Sequence, residues 1–172
     1  MEVELERTFL AKRLPQGIES SPRKDVLDIY IPAAAAHPVL RIRKAGDKTE
    51  ITKKQPLQGN ASEQGEYTIT LTPVEYHALS QIDGKKLHKH RYAYSRDGRT
   101  AEVDVFQNEL KGLVLADFEF KTREEKEAFA PPDWCGADVT HETFVAGGML
   151  CGKKYSDVEA QLKKYDCQPI LK

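Results

Sequence analysis

The first nine residues alternate acidic and apolar side chains with a period of two. In a β-strand this alternation gives two faces, one with Glu2, Glu4, Glu6 and Thr8 and the other with Val3, Leu5, Arg7 and Phe9. In a helix, residues two apart would point about 200° apart, and the carboxylates would scatter. Carboxylates aligned on one strand face repel each other unless cations lie opposite. The rest of the chain must therefore supply cations to face this strand.

Two predicted hairpins supply such cations. Residues 39–54 turn at Gly46-Asp47, and residues 86–106 turn at Asp97-Gly98, a dipeptide typical of tight hairpins. Five cations lie on the charged faces of these strands: Arg41, Arg43, Lys54, Lys89 and Arg91. Acidic strands at 102–104 and 117–119 repeat the acidic pattern of the first strand, opposite in charge to these cations.

The alternation of acidic and basic strands predicts the fold class. We expect an α+β protein with a closed antiparallel β-barrel of about eight strands, which gathers the charged faces into a tunnel with helices packed outside. An open sheet with one solvated face, in a purely structural β domain, is the alternative. Residues 1–172 are expected to form a single domain.

Local signals place the remaining elements. Thr72-Pro73-Val74-Glu75 predicts a capped helix running to about Gln81, and Thr122 predicts another that runs to Ala128. Ser156-Asp157-Val158-Glu159 predicts a capping box for a C-terminal helix at about 156–166. Residues 55–64, which contain Pro, Gly, Asn and Ser, are expected to form a flexible surface loop.

Composition excludes several classes of function. A net charge of −1 argues against a nucleic-acid partner. No apolar run has the length of a membrane span, and the acidic N-terminus is unlike a signal peptide, so we expect a cytoplasmic protein without a membrane partner. Three cysteines without C-x-x-C spacing, and five histidines without ligand spacing, indicate neither a disulfide framework nor a zinc site. The sequence leaves a homodimer open.

The charged faces indicate a chemistry. Guanidinium groups suit phosphate oxygens, and carboxylates are the hard oxygen donors that Mg²⁺ or Mn²⁺ prefer. The carboxylates in question are Glu4, Glu6, Asp117 and Glu119. Each charged strand alone is more often a solvated sheet face, and only their joint occurrence points to a site. Cations and a metal cluster in one cavity fit a polyphosphate, whose charge must be neutralised during phosphoryl transfer.

The order of motifs resembles the CYTH domain, or triphosphate tunnel metalloenzyme, family from Glu4 to about Leu150. The matching motifs are Glu4-Leu5-Glu6-Arg7-Thr8, Arg41-Ile42-Arg43, Ile51-Thr52-Lys53-Lys54, Glu66-Tyr67-Thr68, Lys89-His90-Arg91, Glu102 to Phe106, Leu110 to Leu113, Ala116 to Glu119 and Trp134 to Thr140. The chain departs from the family pattern at Thr8, where the family has Lys, and at Thr68, where it has Glu. Asp117 and Asp138 are also shorter acids than the usual Glu.

The resemblance implies a role for each site residue. Glu4, Glu6, Asp117 and Glu119 would bind Mg²⁺ or Mn²⁺. Arg41, Arg43, Lys54, Lys89 and Arg91 would hold the triphosphate and, with Glu4 and Glu6, act in catalysis. Glu66 and Asp104 would complete the inner acidic set around the substrate. The tunnel lysine is Lys54, or Lys53 if the register shifts by one residue.

The expected activity is metal-dependent hydrolysis of a triphosphate, a phosphoanhydride hydrolase reaction. Inorganic tripolyphosphate is the first choice of substrate, because the inward set has no aromatic platform for a base; ATP and thiamine triphosphate remain open. One alternative is a class IV-type adenylate cyclase that converts ATP to cyclic AMP. Another is a weakly active or non-catalytic binder of polyphosphate or nucleotide, because Thr8 and Thr68 replace charged residues.

Overall fold

A computed structural model of the protein describes residues 2–171, with Glu2 described by its backbone alone. The Glu2 side chain, predicted for the acidic face, thus lies outside the described part. The strands in this range are β1 (Glu2–Ala11), β2 (Arg23–Ile31), β3 (Leu40–Ala45), β4 (Lys48–Leu57), β5 (Asn60–Thr70), β6 (Lys85–Arg96), β7 (Arg99–Phe106), β8 (Val114–Phe120) and β9 (Cys135–Asp138). The helices are α1 (Pro73–Leu79), α2 (Arg123–Glu127), α3 (Gly147–Leu150) and α4 (Tyr155–Lys163), with short 3-10 turns at Ile18–Ser20, Asn108–Leu110 and Thr143–Val145.

Eight of the described strands close into an antiparallel barrel. Their order is β5-β4-β3-β2-β6-β7-β8-β1, and a further pairing between β1 and β5 joins the two ends. The ninth strand, β9, adds to β1 near Phe9 and Ala11, where the register shifts. The predicted α+β fold with a closed barrel of about eight strands is confirmed. The barrel matters for function because β1 and β5, at opposite ends of the strand order, face the same interior.

Both predicted hairpins form. β3 pairs with β4 about the Gly46 turn, and β6 pairs with β7 about Asp97-Gly98, whose φ angles are 53° and 73°. The loop predicted at 55–64 is wrong. β4 runs through Pro56 to Leu57 and β5 begins at Asn60, so Gln58 and Gly59 alone make the turn, both at positive φ. A turn does form within the predicted range, but it occupies only two positions of a long hairpin.

Two of the predicted helix starts are confirmed. Thr72 caps α1 with a reciprocal Glu75 capping box, and Thr122 caps α2. The predicted Ser156 capping box does not form, because the N-cap of α4 lies two residues earlier. Its N-cap is Lys154, whose backbone N–H donates to the Asp157 carboxylate at 2.8 Å.

Apolar side chains fill one end of the barrel. Leu10, Leu87, Phe106 and Leu115 continue the inward faces of their strands and pack with the two C-terminal helices, α3 and α4. A second cluster, which includes Phe118 and Trp134, covers the outside of β1, β7 and β8. The charged inward residues lie beyond the apolar end, toward the start of β1.

The prediction that helices cover the apolar outside is only partly right. Tyr67 and Ile69 on the outer face of β5 are 52% and 66% exposed, and Val74 of α1 is 79% exposed. The short helix α1 packs against β4, and its own apolar residue Val74 still faces solvent. No helix within residues 2–171 has the length and apolar composition to cross a membrane.

Candidate functional site

The charged face of β1 points into the barrel and meets a lysine from β4. Lys54 Nζ donates to Glu4 Oε2 at 2.6 Å and to Glu6 Oε2 at 2.9 Å. Burial would lower the pKa of Lys54, but the two carboxylates outweigh it and raise that pKa. Lys53 is exposed, so Lys54 is the inward lysine. Residues almost fifty positions apart therefore meet because β1 and β5 close the barrel beside β4.

Arg43 is held by a buried carboxylate from the neighbouring strand. Its guanidinium donates to Asp28 through Nε at 2.7 Å and Nη2 at 2.8 Å, and the two residues face each other in the β2–β3 register. Asp28 is 1% exposed. Burial would raise the pKa of Asp28, but the Arg43 charge outweighs it and lowers that pKa to about 2. The pair is a fixed, bidentate anchor for Arg43.

A second buried carboxylate organises the cations of β6. Asp104 accepts from Lys89 Nζ and from Arg91 Nε and Nη2, the Arg91 contacts both at 2.7 Å. Arg91 Nη1 also pairs with Glu102, an inward residue on the same face of β7. Burial and the Arg91 charge lower the pKa of Lys89. Asp104 thus holds two cations side by side.

Thr8, where the resemblance predicts a lysine, hydrogen-bonds to an inward carboxylate. Thr8 Oγ1 donates to Asp117 Oδ1 at 2.7 Å, and Arg91 Nη2 lies 3.7 Å from Asp117 Oδ2. Glu119 faces Glu6 in the β1–β8 register and is the solvent-exposed member of the predicted metal set. The four predicted metal-binding carboxylates therefore lie on two adjacent strands.

The inner face of β5 is polar but carries less charge. Glu66 Oε1 accepts from Thr68 Oγ1 at 2.6 Å, and Thr68 Oγ1 lies 2.9 Å from Thr52 Oγ1 across the β4–β5 pair. Glu66 stands opposite Lys54 in the register. Thr68, where the resemblance predicts a glutamate, thus takes part in a chain of hydroxyl groups that ends on Glu66.

Arg41 differs from the other four inward cations. Among the side chains that the structure describes, no carboxylate forms an ion pair with Arg41, and its buried Nε has no hydrogen-bond partner. A buried donor without a partner costs about 1–3 kcal/mol. An anion entering the barrel would satisfy this group.

Carboxylates outnumber cations around this interior. Burial raises the pKa of Glu6 against the opposing Lys54 charge, and burial together with Asp104 raises the pKa of Asp117. Burial and the nearby Glu102 likewise raise the pKa of Glu119. Raised pKa values in neighbouring carboxylates mean that another positive charge, a proton or a metal cation, is favoured there.

Sequence reasoning missed Asp28 and treated Glu102 only as part of a strand face. The available signal for Asp28 was its place as the one charge in Val26-Leu27-Asp28-Ile29-Tyr30-Ile31, an otherwise apolar strand. A lone carboxylate in a buried strand needs a cation partner. The partner, Arg43, is visible only from the strand order, since β2 and β3 are joined by a loop of eight residues between Ile31 and Leu40.

Comparisons with known proteins agree with this fold. A search of family models finds no match to the chain. The inorganic triphosphatase of Nitrosomonas europaea is 32% identical over 142 residues, covering 81% of this chain and 90% of the relative. That of Acetivibrio thermocellus is 33% identical over 118 residues, covering 69% and 74%.

Solved structures of other proteins also match the fold of this chain. The crystal structure of the inorganic triphosphatase NE1496 matches with a TM-score of 0.65 at 26% identity, over 89% of this chain and 97% of that one. The PH1012 protein from Pyrococcus horikoshii, at 20% identity and a TM-score of 0.51, shares the fold. On the sequence identity and the coverage together, the chain belongs to the same family as the inorganic triphosphatases of Nitrosomonas europaea and Acetivibrio thermocellus.

Proposed function

We propose that the protein hydrolyses a triphosphate inside the barrel, with inorganic tripolyphosphate as substrate and Mg²⁺ or Mn²⁺ as cofactor, as a triphosphate tunnel metalloenzyme. The observation that carries the proposal is the convergence of inward cations and carboxylates from all eight barrel strands on one enclosed space. The family relationship supports the same reaction, since both curated relatives are named inorganic triphosphatases.

The cations would bind the phosphates in two ways. Arg41 has no carboxylate partner within the described side chains, and although it hydrogen-bonds to Tyr30, its Nε is left to donate to a phosphate oxygen. Arg43, Lys89 and Arg91 are held in place by Asp28 and Asp104, which makes these two acids positioning residues. Preorganised cations stabilise developing phosphoryl charge without reorganising during the reaction.

The carboxylates fit a divalent metal. Glu4, Glu6, Asp117 and Glu119 offer hard oxygen donors on adjacent strands, and the raised pKa values of three of them indicate a deficit of positive charge. A bound Mg²⁺ or Mn²⁺ would neutralise phosphate charge and favour deprotonation of a water. Lys54 would then be released from Glu4 and Glu6 and could turn to a phosphate oxygen.

Glu66 would contribute to the polar wall that faces the substrate. Its carboxylate lies opposite Lys54 and accepts the Thr68 hydroxyl. We place it beside the released Lys54, where it would orient the ammonium group. The substrate is a small molecule, and the proposal involves neither nucleic acid nor a membrane.

A substrate panel tests the proposal. Tripolyphosphate, ATP and thiamine triphosphate are each incubated with the protein and Mg²⁺ or Mn²⁺, while phosphate and cyclic AMP are measured. We expect phosphate release, fastest from tripolyphosphate, and no cyclic AMP. Cyclic AMP from ATP would favour the cyclase reaction instead. Tight binding of tripolyphosphate without phosphate release would favour the non-catalytic binder that Thr8 and Thr68 suggest.

Arg41 provides the sharpest variant for this panel. Arg41→Ala removes the cation that forms no ion pair with a carboxylate among the described side chains, so kcat/KM for tripolyphosphate should fall by about 100-fold or more. Arg13→Ala is the matched control, because Arg13 pairs with Asp133 at 2.7 Å on the surface, where both side chains are exposed. Equal loss in the two variants, or none in either, would contradict a specific role for Arg41.

A further inference from the structure

A cluster of metal-ligating side chains lies on the outside of the barrel, away from the charged interior. Asp25 of β2 faces His90 of β6 in the strand register, and His88 is two residues before His90 on the same outer face. One ligand atom from each of these three residues lies within 4.8 Å of the other two. The histidines showed no ligand spacing along the sequence, because the third ligand comes from another strand.

The distances within this cluster are close to those of a metal site. His90 Nε2 lies 3.3 Å from Asp25 Oδ1, and His88 Nε2 is hydrogen-bonded to the same oxygen at 2.7 Å, a contact that a bound ion would replace. A tetrahedral Zn²⁺ with bonds of about 2.0–2.1 Å separates its ligand atoms by about 3.3 Å. The imidazoles meet edge to face, with ring centroids 5.7 Å apart. Small side-chain rotations would bring three donors around one cation.

The surroundings permit a cation to enter. The Asp25 side chain is 53% exposed and those of His88 and His90 are 24% and 26% exposed, so water can complete the coordination. Asn108 also reaches the other ring nitrogen of His88, with its side-chain amide 3.2 Å from Nδ1. A metal-binding histidine commonly donates the N–H of its other ring nitrogen to an acceptor, so the Asn108 amide would turn its oxygen toward Nδ1 to fix the ring and leave Nε2 for the metal. Arg23, on the same outer face of β2, is a positive charge near Asp25 that would repel a bound cation.

We propose that Asp25, His88 and His90 form a second metal site, on the outer surface of the barrel, which binds a divalent transition metal such as Zn²⁺. Two imidazoles and one carboxylate favour Zn²⁺, Ni²⁺ or Cu²⁺ over Mg²⁺, whose preferred ligands are oxygens. The bound ion would link β2 to β6, the strand that carries Lys89 and Arg91. The site is separate from the proposed triphosphate site and needs no turnover to be observed.

Zinc titration by calorimetry tests the site. Tag-free protein is titrated with Zn²⁺ in excess Mg²⁺, so that the interior carboxylates are occupied by the competing ion. We expect one Zn²⁺ per chain, with affinity at least about tenfold weaker in Asp25→Asn and in His90→Ala, since even outer-sphere losses cost about 10–100-fold. Asn108→Ala should weaken binding less than either ligand variant. His141→Ala, which removes an exposed histidine outside the cluster, is the control and should bind as the wild type does.

A second readout separates loss of ligands from loss of fold. Zn²⁺ should raise the thermal unfolding midpoint of the wild type and of His141→Ala, because it binds the folded state, and should not raise that of His90→Ala. Triphosphate hydrolysis in Asp25→Asn should stay at the wild-type level, which would show that the barrel is intact. Absence of Zn²⁺ binding to the wild type, or unchanged binding in both ligand variants, would overturn the proposal.

Discussion

Asp28 shows how a single buried residue fixes the geometry of the proposed site. It accepts two hydrogen bonds from Arg43, and both side chains are almost completely buried. Removing one partner of such a pair leaves the other charge without compensation in a medium of low polarity. The residue that matters here is thus an acid that contacts no substrate in the proposed mechanism.

Asp28→Asn should destabilise the fold by about 3–5 kcal/mol at neutral pH, because Arg43 stays buried without its counter-charge. The Asp28 pKa is about 2 in the folded state, against about 3.9 for an unperturbed Asp. The ion pair therefore stabilises the protein above about pH 4 and is lost as the pH falls through about 2. The gap in unfolding free energy between variant and wild type should narrow below pH 4, as measured by urea unfolding at several pH values.

Asp133→Asn is the matched control for Asp28→Asn. Asp133 pairs with Arg13 at the same 2.7 Å distance, but its side chain is 83% exposed. An exposed pair contributes about 0–1 kcal/mol, so this variant should unfold nearly as the wild type does. Equal destabilisation by the two substitutions would contradict the importance of burial at Asp28.

Thr8→Lys tests the departure of this chain from the family pattern. Thr8 Oγ1 contacts Asp117, so a lysine there would bring a sixth cation next to a carboxylate whose pKa is raised. If phosphoryl charge is under-stabilised in the wild type, kcat for tripolyphosphate should rise by about tenfold. Thr8→Val, which removes the hydroxyl and adds no charge, should not raise it. An unchanged or lower rate in Thr8→Lys would show that the missing cation does not limit turnover.

For individual residues, the sequence predicted which side chains share a strand face. It did not predict which side chains contact each other. Alternation alone placed Glu4 and Glu6 on one face and Arg41 and Arg43 on another, because the side-chain period of a strand is fixed. The contact between Lys54 and Glu4 depends on closure of the barrel, which no local pattern encodes. The roles of these residues in metal and substrate binding stay predictions.

Among the elements, turns and helix caps form where the sequence predicts them when the local residue preference is strong. Asp97-Gly98 and the Thr72 box behave as their sequences predict. Residues 55–64 do not, since long-range pairing of β5 with both β4 and β1 outweighs the low strand preference of Pro56 and its neighbours. The Gly147-Gly148 pair, which weakens a helix on propensity alone, is explained by packing.

Gly148 is required by the contact between α3 and the segment that follows β2. A Cβ added at Gly148 would lie 2.1 Å from the backbone oxygen of Pro38 and 2.8 Å from the His37 ring. Because a backbone atom cannot rotate away, Gly148→Ala should destabilise the protein by about 3 kcal/mol, at the upper end of overpacking costs. Chemical unfolding measures this value.

Gly46→Asn gives the comparison for Gly148→Ala. Gly46 has a φ of 60°, a left-handed conformation that Asn tolerates, and open space where a Cβ would lie. Gly46→Asn should lower the free energy of unfolding by less than about 1 kcal/mol. A Gly148→Ala protein as stable as Gly46→Asn would show that α3 packs less closely on the 37–38 segment than described.

For the whole molecule, barrel closure brings cations opposite an unfavourable arrangement of like charges and so forms the proposed binding site. Apolar side chains close one end, and acids from β1, β7 and β8 face cations from β3, β4 and β6 near the other. Among the inward side chains that the structure describes, acids exceed cations and the Arg41 Nε donor has no hydrogen-bond partner. The interior is therefore suited to receive a polyanion together with metal cations, which is the central claim of the proposed function.

The most direct test is phosphate release from tripolyphosphate, with Mg²⁺ and with Mn²⁺, by the Glu4→Gln, Glu6→Gln double variant. The substitutions keep the shape of the side chains and remove two of the proposed metal-binding charges, so kcat/KM should fall by about 1,000-fold or more, while the circular dichroism spectrum is unchanged. Glu109→Gln, at an exposed carboxylate 3.6 Å from Lys154, should keep wild-type activity. Hydrolysis by the double variant at the wild-type rate, with or without metal, would contradict the account.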